Sequence, residues 1–292
     1  MSDNFNTSAL AKRAALPASN AIAIEQLRTM PPYFGWVDCD TGHGKFRMFL
    51  GGNDDGIALR FFWNGYYEKT TLKAWSWLAK RTELALDIGA HTGVFTLAAK
   101  SSNPGAAVVS FEPHFMNFAR LNLNLRANGF ETVNGFMCAV GEKNEKLSFS
   151  VSASPDWLSS GGSIGRRPNA HTTFVQVVSV DSRLPPAIKA KVGLVKIDTE
   201  GFEAKCLDGM KDLLAKARPI IFFECVEAKS AAAVERRLGA LGYAFFEVDD
   251  NQGTISPVAG LQPHLDSAGK PVYGKFNRIA MPEGNITAQM IG

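Results

Sequence analysis

Cysteine is scarce in this chain. There are four, Cys39, Cys138, Cys206 and Cys225, and no Cys-x-x-Cys pair, so neither a zinc framework nor a disulfide scaffold is expected. No apolar run approaches the length that spans a bilayer. Met1 to Asn20 carries Lys12 and Arg13 without an apolar stretch behind them, so it does not read as a signal peptide. The cytoplasm is the expected compartment, with reduced thiols. Neither sign of charge dominates: 31 basic residues face 28 acidic ones, and the first 80 residues hold nine and seven of them. Without a basic stripe, nucleic acid and anionic membrane are not expected partners.

What is present suits a globular protein. Hydrophobic residues make up 46% of 292, enough for one large α/β domain with a modest extension. Residues 1–30 are rich in Ala, Ser and Asn, and Ala21–Met30 reads as a short helix ended by Pro31-Pro32. Phe46–Leu50 and Ile57–Phe62 flank a Gly/Asn/Asp turn and read as a hairpin. Thr70–Arg81 has helical spacing, with Leu72, Trp75 and Leu78 in register. Residues 1–80 are therefore taken as an extension covering one side of a main domain, 81–292.

From residue 83 strands alternate with helices. The expected strands are Leu84–Ile88, Ala106–Phe111, Thr132–Val140, Gly193–Ile197, Pro219–Phe223, Tyr243–Val248 and Lys275–Ala280. The expected helices are Val94–Lys100, His114–Ala127, Glu203–Lys216 and Ser230–Leu241. This alternation predicts a mostly parallel sheet with helices on both faces. A long interruption, Gly141–Lys191, holds two β-like stretches, Leu147–Val151 and Phe174–Val180, around a polar loop containing Ser159 to Ser163, Arg166, Arg167 and His171. Loops of this length inside a domain are usually functional.

The first strand ends in Leu86-Asp87-Ile88-Gly89-Ala90-His91-Thr92-Gly93. In open α/β sheets ligands bind outside the carboxyl ends of strands, and glycines there let backbone approach a ligand. Gly89→Val is accordingly expected to abolish ligand binding in a domain that stays folded. Glu112 ends the second strand, where a carboxylate can accept from both ribose hydroxyls of a nucleoside. A nicotinamide dinucleotide would set its diphosphate beside Asp87, an unfavourable match. S-adenosylmethionine has no phosphate, and its cationic methionine end suits an acid at that position. The spacing Asp-x-Gly-x-x-x-Gly also differs from the dinucleotide fingerprint. The methyl donor is favoured; the bland alternative is a tight turn with Asp87 as a helix cap.

A second motif, Lys196-Ile197-Asp198-Thr199-Glu200-Gly201-Phe202-Glu203, sets three acids at the same sheet edge. Glu203 is readily explained as a complement to a helix dipole; Asp198 is not. Together with Phe111-Glu112-Pro113, Cys138-Ala139-Val140-Gly141, Val180-Asp181 and Pro219–Glu224, these motifs make the chain, from residue 84 to 224, resemble the FkbM family of S-adenosylmethionine-dependent methyltransferases. Trp63–Glu68 is similar to that family's lead-in. His91 stands where the family usually has Asn, and residues 1–60 match nothing recognisable.

The resemblance implies a class I methyltransferase fold, a Rossmann-like seven-stranded sheet with one antiparallel strand near its edge. It implies O-methylation of a hydroxyl, often on a sugar or on a sugar-bearing or polyketide natural product. Asp87, Gly89, Ala90, His91 and Gly93 would then lie along the methionine part of the donor. Glu112 would hold ribose, Cys138 and Ala139 would line adenine, and Asp198 would face the sulfonium and the incoming hydroxyl. A general base should help an alcohol attack; Asp198, Glu200 and Glu224 are the candidates. Those acids could instead hold a divalent cation, which is not favoured because no His-rich cluster accompanies them. His171, Arg166 and Arg167, Trp75 and Trp77, and the Phe61-Phe62-Trp63 cluster are weaker candidates, more simply read as surface or core. Residues 33–80 and 152–173 are expected to form much of the acceptor pocket, with Trp63, Tyr66 and Tyr67 suited to a hydroxylated ring. Two other functions share this scaffold: a nicotinamide-dependent oxidoreductase, and a catalytically silent nucleoside-binding domain.

Overall fold

The computed structural model describes residues 3–130, 133–151, 158 and 161–284. The first 80 residues form α1 (Asp3–Ala14), α2 (Ile24–Leu27), the hairpin β1 (Phe34–Asp40) and β2 (Lys45–Gly51), α3 (Gly56–Asn64) and α4 (Lys69–Ala79). The alternating region follows with β3 (Leu84–Ile88), α5 (Val94–Ser102), β4 (Ala107–Phe111), α6 (Phe115–Ala127) and β5 (Asn134–Phe136). An inserted sheet comes next: β6 (Ala139–Val140), β7 (Glu145–Val151), β8 (Ser163–Ile164) and β9 (His171–Val178). After two short helices, α7 (Val180–Arg183) and α8 (Pro186–Lys189), the main sheet resumes as β10 (Val192–Ile197), α9 (Glu203–Asp208), α10 (Lys211–Ala217), β11 (Ile220–Glu224), α11 (Ala228–Gly239), β12 (Tyr243–Asp249), β13 (Thr254–Val258) and β14 (Asn277–Pro282).

Among the described residues the main sheet has the order β13-β12-β14-β11-β10-β3-β4-β5. Strands β5, β4, β3, β10 and β11 run parallel; β14 is antiparallel to both β11 and β12. Seven of these strands are the expected arrangement, with the antiparallel strand second from its edge. The eighth, β13, pairs outside β12 as a hairpin. Alternation along each strand serves two cores. Ala85, Leu194, Phe222 and Ile279 pack with Met48, Leu50, Trp63 and Trp75 of the extension. Leu86, Ile88, Val195, Ile197 and Phe223 pack with Leu207, Leu214 and Val234 of the opposite helices. All five residues of β3 are buried, as expected of a strand covered on both faces. The extension thus shares a core with the sheet.

Helix α6 also completes β2. Its Asn128 accepts from the Arg47 N–H (2.8 Å) and donates to the Arg47 carbonyl (2.8 Å). Asn124 accepts from the Phe49 N–H (2.9 Å), and Arg120 donates to the Phe49 carbonyl (2.9 Å). Side chains one turn apart thereby stand in for a neighbouring strand and satisfy a free sheet edge.

Four local expectations change. Ile57–Phe62 is helix, because Asp55 accepts from the N–H groups of Ile57 and Ala58 and Gly65 closes the other end in the left-handed region; the hairpin partner of β2 is instead β1. The third strand splits: Asn134–Phe136 pairs with β4, the Cys138 N–H turns back to the Phe136 carbonyl (2.9 Å), and Ala139–Val140 joins β9. Its expected start at Thr132 lies outside the described residues. Glu203–Lys216 breaks at Gly209, where a Cβ would lie 1.9 Å from the Gly141 carbonyl oxygen. The helix expected over 21–30 is confined to Ile24–Leu27, and α1 is additional.

Candidate active site

At the carboxyl edge of β3, β4, β10 and β11 lies a cavity of about 280 Å³. One wall is the turn after β3. The N–H groups of Gly89 and Ala90 both donate to the Phe111 carbonyl (2.9 and 3.0 Å). Gly89 has φ +82°, and a Cβ there would lie 1.8 Å from the Asp198 carbonyl oxygen. The glycine is therefore required by the approach of a second backbone, rather than only by ligand space. Glu112, 4% exposed, accepts from the His91 N–H at Oε2 and from the His114 N–H at Oε1, both at 2.8 Å. Burial pushes its carboxyl up to about 7 against the pull of those two N–H groups. Ile88, Pro113, Ala139, Val140 and Phe202 add apolar surface around it.

The opposite wall is acidic around one buried cation. Lys196 is fully buried; its Nζ lies 3.3 Å from Asp198 Oδ2 and 3.3 Å from Asn277 Oδ1. Burial alone would lower its pKa, but Asp198, Glu224 and Glu68 outweigh that and hold the ammonium charged. Glu224 is pushed well above the usual carboxylate range by burial and by Asp198. Glu200, in a left-handed turn at φ 54°, is raised to about 7 by burial and again by Asp198. Glu203 ties this loop together: Oε1 accepts from the Gly201 N–H (3.0 Å) and the Thr199 hydroxyl (3.1 Å), and Oε2 from the Ser230 hydroxyl (2.7 Å).

The cavity thus gathers Gly89, His91, Glu112, Ala139, Asp198, Glu200 and Glu224 of the residues singled out in the sequence. Asp87, Ala90, Gly93 and Cys138 do not line it. Asp87 is on the face of β3 that meets α5, where its Oδ2 accepts from the Thr96 hydroxyl (2.6 Å); burial raises its carboxyl to about 6. Ala90 is buried within the turn. A Cβ on Gly93 would meet Leu121 at 2.3 Å, so its spacing serves packing on α6. Cys138 belongs to the core on the α9–α11 side, and burial raises its thiol to about 11. Trp63 and Trp75 are fully buried core residues, His171 is exposed at the start of β9, and Ser159 and Ser160 lie outside the described residues. Among the described residues no group of three or more His, Cys, Asp or Glu side chains is arranged to hold a metal ion.

Sequence reasoning passed over Glu68, Asn277, Arg60 and Tyr273. Arg60 lies 4.8 Å from the Tyr273 ring centroid and 5.9 Å from that of Tyr67, and both tyrosines line the cavity. Lys196 had a usable signal: a lysine inside the apolar run Leu194–Ile197 must be paired if the strand is buried. Glu68 ends the Trp63–Glu68 lead-in, but nothing in its spacing points to Lys196 or Asn277, and Asn277 had no signal, since these partners are remote in sequence.

A parallel sheet of this strand order, with a cavity at its carboxyl edge and an acid at the end of the second strand, is that of a class I methyltransferase. Residues 87–248 match the profile of the methyltransferase FkbM domain. The chain belongs to that family. No curated protein matches it in sequence. Among crystal structures, the chain is similar to the methyltransferase FkbM from Methylobacillus flagellatus KT, at 17% identity and a TM-score of 0.46, over 77% of this chain and 53% of that one. It thus spans about half the length of that protein. An rRNA methylase from Streptococcus thermophilus aligns at 10% identity and a TM-score of 0.44, covering 73% of this chain and 95% of that one. An O-methyltransferase from Bacillus cereus, in complex with SAH, aligns at 11% and 0.41, over 73% and 80%.

Proposed function

We propose that this methyltransferase uses S-adenosylmethionine to methylate a hydroxyl of a small molecule, a sugar or a glycosylated or polyketide natural product. The observation that carries the reading is Glu112. Oε2 accepts the His91 N–H, and Oε1 accepts the His114 N–H with a longer contact from Asn117 Nδ2 (3.5 Å), so a ribose diol would take the open lone pair of Oε2 and displace the weak Asn117 contact at Oε1. The donor set fits a nucleoside with a cationic tail. Asp198 and Glu224 face that end, and Ala139, Val140 and Phe202 offer an apolar slot for a base. Among the described residues the cations that line the cavity are Arg28 and Arg60, both on the extension, with Lys196 buried behind its acidic wall; a diphosphate on the glycine turn would meet Glu112 and Asp198 instead, which disfavours a nicotinamide dinucleotide. Bound there, S-adenosylmethionine supplies an electrophilic methyl group.

The chain's own part is alignment and water exclusion. In this reading residues 1–80 cover the donor-binding domain, 81–292. Gly56, Ile57, Arg60 and Tyr67 come from the extension, Phe149, Gly162 and Ile164 from the inserted sheet, and Tyr273 and Phe276 from the loop before β14. Tyrosines beside carboxylates suit a ring carrying hydroxyls. Asp198, Glu200 and Glu224 are the acids of the motifs that face the acceptor. The even charge balance supports a small acceptor over a nucleic acid. Among the described residues no helix is long and apolar enough to cross a membrane.

Calorimetry with S-adenosylmethionine, S-adenosylhomocysteine and NAD tests the reading. The first two should bind and NAD should not. Glu112→Gln, which keeps shape but turns one acceptor into a donor, should weaken binding about 10- to 100-fold, the loss of charge-assisted hydrogen bonds. Unchanged affinity removes the ribose assignment, and binding of NAD alone overturns the donor.

A further inference from the structure

We propose that Glu68, on the extension, is the base that takes the proton from the acceptor hydroxyl, and that Asn277 and Lys196 are the positioning residues that aim it. The proposal rests on the methyl-transfer reading above and assigns the proton within it. Glu68 lies upstream of the profile-matched residues 87–248, at the end of the Trp63–Glu68 lead-in.

Its placement is built, not incidental. Glu68 occupies the N-cap position of α4, where an acidic side chain ordinarily accepts from the free N–H groups of the first turn, yet its side chain makes no capping bond. Asp250, from the turn after β12, does that work: Oδ1 accepts from the N–H groups of Thr70 (2.7 Å) and Thr71 (2.9 Å), and Oδ2 from the Thr71 hydroxyl (2.8 Å). The carboxylate of Glu68 is thereby left for the cavity, which it lines while only 6% exposed. The backbone that aims it is left-handed, φ 37° and ψ 59°, a conformation that costs a non-glycine residue about 1 kcal/mol or more and persists where surroundings enforce it.

The support behind it is directional. Asn277 Nδ2 donates to Glu68 Oε2 (2.9 Å), while Asn277 Oδ1 accepts from Lys196 Nζ (3.3 Å). An ammonium only donates, so Lys196 fixes which end of the amide faces it. The amide N–H groups are then turned to Glu68. The same ammonium holds Asp198 Oδ2, while burial and Asp198 push Glu224 well above the usual carboxylate range. Glu68 is held by a neutral amide donor in place of the ammonium. The groups facing it are Tyr67 beside it, Lys196 and Asp198 at the end of β10, Glu224 on β11, Asp250 after β12 and Tyr273 before β14. Burial raises its carboxyl to about 7, Lys196 opposing and Asp250 and Asp198 adding, which suits a base working near neutral pH.

In the step, an oxygen lone pair of the acceptor forms the O–CH₃ bond as the C–S bond breaks. The bonding pair leaves with sulfur as a neutral thioether, and the hydroxyl proton passes to the Glu68 carboxylate, which becomes a neutral acid.

Three measurements on the full chain test this. Calorimetry should give wild type and Glu68→Gln affinities for S-adenosylmethionine within about threefold, since the donor's ribose and base contacts lie on the other wall and Asp198 and Glu224 remain for its cationic end; a wild type that binds no donor overturns the methyl-transfer reading itself. Infrared titration with S-adenosylhomocysteine present should show a carboxyl protonating near pH 7 that is missing in Glu68→Gln and displaced in Asn277→Ala. Identical titrations of wild type and Glu68→Gln overturn the proposal. Turnover is followed as S-adenosylhomocysteine formed with a panel of methyl glycosides as acceptor probes. Wild-type kcat should rise with pH through about 7, and Glu68→Gln should lose that limb and about 10²- to 10⁴-fold in kcat with KM little changed; Glu68→Asp should restore part of it. A Gln variant with wild-type kcat, or with the pH limb intact, overturns the proposal alone. A panel that yields no product with wild type overturns the sugar-hydroxyl acceptor, and the infrared titration then decides Glu68.

Discussion

Asn124→Ala isolates the contact that ties the N-terminal hairpin to the glycine turn. Asn124 is fully buried. Its Oδ1 accepts from the Phe49 N–H on β2 (2.9 Å), and its Nδ2 donates to the Thr92 carbonyl (2.9 Å). Alanine removes both partners at once and leaves two shielded backbone groups unsatisfied, each worth about 1–3 kcal/mol. The expected loss is about 2–6 kcal/mol, a large part of the ~5–15 kcal/mol that ordinarily separates folded from unfolded chains. Urea unfolding should show it as a midpoint lowered by about 1 M with an unchanged slope, taking a slope near 3 kcal/mol per M. Asn124→Asp keeps an acceptor for Phe49 but buries an unpaired charge with one oxygen against the Thr92 carbonyl, so near neutral pH it should destabilise at least as much as Ala. Thr92 adjoins His91, whose N–H holds Glu112, so affinity for S-adenosylhomocysteine should drop in Ala as well. A midpoint within about 0.2 M of wild type for the Ala variant would refute the reasoning.

Other expectations follow from the same geometry. Gly89→Ala should lower the melting temperature sharply or prevent soluble expression, because its Cβ would collide with the Asp198 carbonyl oxygen at a left-handed φ; a normally stable Ala variant that merely fails to bind donor would restore the simpler ligand-space account. Asp198→Asn should reduce S-adenosylhomocysteine formation on methyl glycosides while donor affinity shifts less than about tenfold, since its charge faces the reacting end and neighbours Lys196. Full turnover in that variant would clear Asp198 of any role at the reacting end. For Asp87, the folded carboxyl is raised from 3.8 to about 6. Its stabilising contribution is therefore complete below pH 3.8 and lost as pH rises through about 6, amounting to ~3 kcal/mol. Asp87→Asn keeps an acceptor for Thr96, so its stability should vary less over pH 4–6 and exceed wild type at pH 8. A variant with the same pH slope as wild type would show that Asp87 is not the group responsible.

Much of the fold was legible because its signals are local. Leu84–Ile88 and Leu194–Ile197 read as buried strands from unbroken apolar runs, and α6 from its helical period. The acids at the sheet edge, Glu112, Asp198, Glu200 and Glu224, follow from where those strands end. Ile57–Phe62 misled because five apolar residues in six suit a strand or a helix alike, and a cap from Asp55 decided between them. The breaks after Phe136 and at Gly209 depend on backbones that approach only in the folded chain. Tertiary structure also decided which way side chains face. Asp87 precedes the cavity-lining Ile88 by one residue yet turns into the core against α5, because successive residues of a strand point to opposite faces. Above all it assembled Glu68, Lys196 and Asn277, which are separated by up to 209 residues, onto one wall. Periodicity and caps report on neighbours along the chain, whereas a buried charge network reports on partners that only folding brings within hydrogen-bond reach.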